Sequence, residues 1–150
     1  MNINLKYPLD IDNILRKKKS IKRELLNKHG LKEKNIAILG GSTTAEVTNI
    51  LELFLLDSGI KPNFYESEYN KFYEDALFEN EVLDKFNPEI IYIHTSIKNI
   101  IEFPELNDVE DKISSLLDIE IDRYKSIWSS LSKYNCPIIQ NNFEYPVNRS

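Results

Sequence analysis

Between residues 36 and 55 the sequence changes its pattern once, and abruptly. Ile36-Ala37-Ile38-Leu39 is an unbroken apolar run, Gly40-Gly41-Ser42-Thr43-Thr44 interrupts it, and Val47, Ile50, Leu51, Phe54 and Leu55 then recur at helical spacing. A short continuous apolar run suits a strand covered on both faces, whereas spacing of three and four residues marks one face of a helix. Strand, tight turn and buried helix in direct succession are the unit from which parallel α/β sheets are built, and few other folds accommodate them.

The rest of the chain repeats that rhythm. Asn63-Phe64-Tyr65-Glu66 after Pro62 reads as a second strand, and Leu77, Phe78, Val82 and Phe86 as a short helix ended by Asn87-Pro88. Ile90 to His94 is a third strand. Thr95 to Glu110 carries no clean period, contains Pro104, and reads as a long functional loop with room for one helical turn. Ile113, Leu116, Leu117, Ile121, Tyr124, Ile127, Trp128 and Leu131 predict a helix of several turns, followed by a fourth strand over Pro137 to Gln140. Ahead of all this, Ile11, Ile14, Leu15, Ile21, Leu25 and Leu26 predict an amphipathic helix over about 11–29, capped by Asp10 or Asp12 and closed at Gly30.

Composition limits what such a chain does. With 150 residues, of which 41% are apolar, it forms one domain with a real core. A net charge of -5 gives a field that does not favour nucleic acid or anionic lipid. The basic run from Arg16 to Lys19, with Lys22 and Arg23, is read as the solvated face of the first helix. Cys136 is the only cysteine, so no internal disulfide forms. No apolar stretch reaches the length of a membrane span, and the polar start is not a secretory signal. A cytoplasmic location is the expectation, and no metal or cofactor is expected.

Parallel sheets bind ligands beyond the carboxyl ends of their strands. Three segments converge there: Gly40–Thr44, Thr95–Asn99 and Gln140–Asn142, all rich in small hydroxyl or amide side chains. The glycines of the first permit a sharp turn, and the helix start behind it offers free N–H groups and a positive dipole end. Such a turn can lift Ser42 as a nucleophile or cradle an anion. Alternatively, Ser42 or Thr43 simply caps the helix.

Ile36 to Val47 resembles the first block of the SGNH hydrolases, in which an apolar strand ends in Gly-Asp-Ser. Gly40 matches the glycine, Ser42 the nucleophile, and Gly41 stands where the aspartate would be. More specifically, Gly40 to Thr44, the helix closing at Gly59-Ile60-Lys61-Pro62, then Tyr65 to Asn70 and Asn87-Pro88-Glu89-Ile90-Ile91 resemble the N-terminal region of FkbH-like proteins. There an SGNH-like part precedes a HAD-type (subfamily IIIC) phosphatase-like domain. The resemblance implies a three-layer flavodoxin-like parallel sheet, cut before its last strand and helix. It places Asn70 at the second-block glycine, which helps form the oxyanion hole. Thr95 falls at the third-block glycine, and Asn99 is a displaced substitute for the third-block asparagine. With Gly41, Thr43 and Ser96, these are the implied binding or oxyanion residues around Ser42.

The closing Asp-x-x-His block, which supplies the general base, does not occur in the sequence. Of the two histidines, His29 ends the first helix and His94 the third strand, where a structural role is expected. Serine without a base is a poor nucleophile, so the chain alone is expected to be inactive. The resemblance implies a role in glyceryl or acyl transfer to an acyl carrier protein, in polyketide or surface-polysaccharide biosynthesis. A carrier protein or phosphopantetheine-linked acyl group would be the partner, alongside a HAD-like domain. The alternative from a different class is a non-catalytic module that binds a carrier protein or an anionic ligand through the same turn.

Overall fold

The computed structural model describes residues 1–41, 44–68 and 70–144. Four strands, β1 (Lys32–Gly40), β2 (Ile60–Glu66), β3 (Ile90–His94) and β4 (Ile138–Gln140), form one parallel sheet in the order β2-β1-β3-β4. This is the expected α/β architecture, with the flavodoxin-like order and its topological switch between β1 and β3. β1 is longer than the apolar run alone indicates. Lys32 to Asn35 are polar, but they pair in register with Ile60 to Asn63 of β2, and the ladder extends the strand beyond its buried half.

Helices cover both faces. Alternation along β1 and β3 sends Ala37, Leu39, Ile91 and Ile93 to one side, where they form a core with Phe72 and Ala76 of α3 (Phe72–Leu77), Leu83 of α4 (Glu81–Phe86), and Tyr124, Ile127 and Leu131 of α5 (Glu110–Leu131). On the other side lies α2 (Ala45–Asp57), whose Leu53 and Leu56 are sealed by Ile14, Ile21 and Leu25 of α1 (Ile11–Leu26). That makes three layers. The side of β3 and β4 facing α2 is less filled: Ile90, Tyr92 and Ile139 line an apolar cleft of about 330 Å³ against Val47, Leu51 and Leu55.

Local chemistry sets most boundaries. Asp10 Oδ1 accepts from Asn13 N at 3.0 Å and starts α1. α1 stops at Leu26, three residues short of the expected end, because the Asn27 N–H already turns back to Glu24 O. Gly30, at φ 78°, then redirects the chain toward β1. The single helix expected around Leu77 to Phe86 is two short ones. Phe78 is extended and ends α3, and Asn80 Oδ1 accepts from Leu83 N at 3.0 Å to begin α4. The long loop holds one 3-10 turn, Ile97–Asn99, and α5 begins at Glu110, ahead of its apolar stripe. Among the described residues, no helix is long and apolar enough to cross a membrane.

Candidate functional site

The first and third loops meet at the carboxyl edge, as the strand order requires. β1 and β3 end level, with Gly40 opposite His94, and Gly41 N donates to His94 O at 3.0 Å. Asn99, at the end of the 3-10 turn, returns across the switch point and donates from Nδ2 to Gly41 O at 2.9 Å. Its Oδ1 accepts from Ser96 N at 2.8 Å, closing a capping box with Ser96, whose Oγ accepts from Lys98 N at 3.3 Å. Asn99 therefore ties the two loops together. A Cβ on Gly41 would fall on the Asn99 side-chain amide, so any other residue here must displace that amide from its bonds.

The fourth strand contributes its own clamp. Thr95 is 1% exposed. Its backbone N–H donates to Asn141 Oδ1 at 2.9 Å and its carbonyl accepts from Asn141 Nδ2 at 2.7 Å, which extends the β3–β4 ladder through a side chain. Gln140 Nε2 reaches Thr95 Oγ1 at 3.4 Å, and Gln140 Oε1 accepts from Trp128 Nε1 at 2.8 Å. On the β2 side, Ser67 Oγ accepts from Gly40 N at 2.8 Å. Glu66 accepts hydroxyl bonds from Thr48 at 2.7 Å and Thr44 at 3.3 Å, joining β2 to the first turn of α2.

Asn70 adopts the left-handed conformation, φ 57°, that its place in a glycine-like turn requires. It is exposed just before α3. Ser42 and Thr43 lie outside the described residues. Of the other implied donors, the N–H groups of Gly41, Thr95 and Ser96 all bond within the protein. This leaves Asn70 and the second amide hydrogen of Asn99 as groups with donating capacity toward a ligand. His94 lies at the same edge, with its Nδ1 2.9 Å from the Tyr92 hydroxyl. Burial raises the Tyr92 pKa, and the direction of its hydrogen bond with His94 follows the imidazole tautomer.

Two residues of α5 enter the site without having stood out in the sequence. Arg123 Nη1 donates to Asn99 O at 3.0 Å and to Glu120 Oε1 at 2.9 Å, and its guanidinium lies 5.0 Å from the Tyr73 ring centroid and 5.5 Å from that of Phe72. Tyr124 is 5% exposed, and its hydroxyl is buried with no hydrogen-bond partner among the described residues. Arg123 carries one legible signal: it is the only arginine between Arg23 and Arg149, set three residues after an acid on a helix. Nothing in the sequence marks Tyr124, which falls on the same stripe as the core residues. No cluster of acidic, histidine or cysteine side chains suited to a metal ion occurs among the described residues.

No protein-family profile and no curated protein sequence matches the chain. Among solved structures, it is similar to the crystallised N-terminal part of the protein BF1531 from Bacteroides fragilis, described as containing a phosphatase domain complexed with Mg. The TM-score is 0.68 and the identity 18%, over 87% of this chain and 34% of that one. The chain thus spans about a third of its structural neighbour, with which it shares the α/β fold.

Proposed function

We propose that the chain is the SGNH-like front domain of an FkbH-like protein and that it holds an acyl group, as a carrier-bound thioester, while transfer is completed by other groups. The observation that carries this reading is the fold shared with the N-terminal part of a protein that also contains a phosphatase domain. It fits the order of segments from Gly40 to Ile91. The described residues at this edge suit holding: Asn99 ties the loop after β3 to Gly41, Asn141 clamps Thr95, and His94 is engaged by Tyr92. The competing reading makes Ser42 an acyl-transfer nucleophile served by a histidine from elsewhere in a longer protein. It draws on the position of Ser42 at the β1–α2 turn and on the remaining Asn99 amide hydrogen as an oxyanion donor.

A thioester-hydrolysis assay on wild type and Ser42→Ala, run beside titration with a phosphopantetheinylated carrier protein, separates the two. Saturable carrier binding without turnover is the expected result. Turnover that disappears in Ser42→Ala establishes the catalytic reading instead.

A further inference from the structure

Helix α5 is packed along only part of its length. Its buried residues are Tyr124, Ile127 and Leu131, all in its C-terminal half. Elsewhere on the helix Leu117 is 59% exposed, Ile121 40% and Trp128 41%. At 3.6 residues per turn these three fall within about 40° of one another around the axis, so they form one apolar stripe about 16 Å long. An apolar cavity of about 480 Å³ between this stripe and the long loop, walled also by Ile100, Phe103, Tyr124 and Phe143, enlarges the same surface. Monomeric domains seldom leave so large a contiguous apolar face in water.

The flank of the stripe decides what covers it. Asp118 and Lys125 are both exposed, lie on the same side of the stripe, and are separated by two turns, about 10 Å, which is too far for them to pair with each other. The ion pairs that α5 does make, Lys112 with Asp108 and Arg123 with Glu120, involve neither residue. A two-fold axis perpendicular to α5 keeps flanks together and reverses direction. Placed near Ile121, midway between the two charges, it sets Asp118 of each copy against Lys125 of the other. The same axis lays Trp128 over Ser114, since each is seven residues from Ile121, so a large side chain meets a small one. A partner of uniform charge would be repelled at one of the two positions. The chain itself, reversed, matches both, although its net charge of -5 opposes unspecific self-association.

We infer that the outer stripe of α5 is an isologous dimer interface, in which two copies of the chain pair antiparallel about Ile121 and join through Asp118 and Lys125. The inference is independent of the carrier reading. Trp128 is the only tryptophan and lies in the stripe, so its emission reports burial of this face directly.

Sedimentation velocity and Trp128 emission, followed on the 150-residue chain from ~1 µM to ~300 µM, test this over the range in which weak specific pairs associate. A monomer–dimer isotherm is expected, with the emission moving to shorter wavelength along it. Ile121→Glu should weaken association at least ~10-fold, because it sets two like charges together on the axis. Its melting temperature should stay that of wild type, since the position is partly exposed and away from the core. Asp118→Lys and Lys125→Asp should each weaken association ~3-fold to ~30-fold, because two attractive contacts per dimer become repulsive. The double variant should regain wild-type affinity, and so should an equimolar mixture of the two single variants. In a parallel pair each residue would meet its own copy, and neither single change would alter the sign of a contact. Single variants of unchanged affinity therefore overturn the antiparallel arrangement. A chain that stays monomeric at the top of the range assigns the stripe to a ligand or another domain and overturns the inference, as does association that survives Ile121→Glu or runs on to larger species.

Discussion

Asn99 lies against the Cα of Gly41 and donates to the Gly41 carbonyl at 2.9 Å, while its own backbone carbonyl accepts from Arg123 at 3.0 Å. Gly41 and Asn99 form one structural unit, because a side chain at position 41 and the Asn99 amide cannot share the same space.

Gly41→Ala should therefore destabilise the fold by about 1–3 kcal/mol, the usual cost of forcing atoms into an occupied site. Combined with Asn99→Ala, the same change should cost clearly less, because the obstructing amide is gone. Thermal melts of both single variants and the double variant check this. Additive losses would break the link between the two positions.

Asn141→Ala should cost about 1–3 kcal/mol for each Thr95 backbone group left without a partner at a buried position. Asn141→Asp keeps an acceptor for the Thr95 N–H but turns a carboxylate toward the Thr95 carbonyl, and should rescue little. Hydrogen exchange at the Thr95 amide is the direct readout. Unchanged protection in Asn141→Ala would show that the clamp is not needed.

Arg123→Lys should fail to replace arginine. Lysine lacks the flat guanidinium that lies over Tyr73 and Phe72 while its Nη1 donates to both Asn99 O and Glu120. With both partners largely buried, the loss should be about 1–3 kcal/mol by urea unfolding. A lysine variant of wild-type stability would mean that only the charge matters.

Asp75 gives a pH dependence of definite sign. Burial raises its carboxyl above the ordinary range, against the lowering from the hydrogen bond with Tyr65 and with further raising from Glu68 and Glu74. The folded chain thus holds this proton more tightly than the unfolded chain. Its contribution to stability is full below the unfolded value of about 3.9 and is lost as pH rises through the raised folded value. The urea midpoint of Asp75→Asn measured against that of wild type should therefore rise as pH increases above the unfolded value of about 3.9. Identical slopes in the two proteins would contradict this.

The sequence by itself determined the architecture. The apolar runs Ile36–Leu39 and Ile90–Ile93 and the helix-spaced stripes between and after them were enough to give a parallel α/β sheet, because local periodicity and right-handed crossovers leave few other solutions. It also placed Gly41, Thr95, Ser96 and Asn99 at one edge, since strand ends are local events. The tertiary structure alone decided what those residues bond to. Asn99 could be placed by its loop, but its double engagement with Gly41 and Ser96 depends on how two loops 58 residues apart settle across the switch point. Arg123 and Tyr124 were hidden for the same reason: a helical stripe shows which residues face inward, not which will find a polar partner. The cavity beside Tyr124 needed three separated segments to close around it, and no spacing within any one of them could signal that.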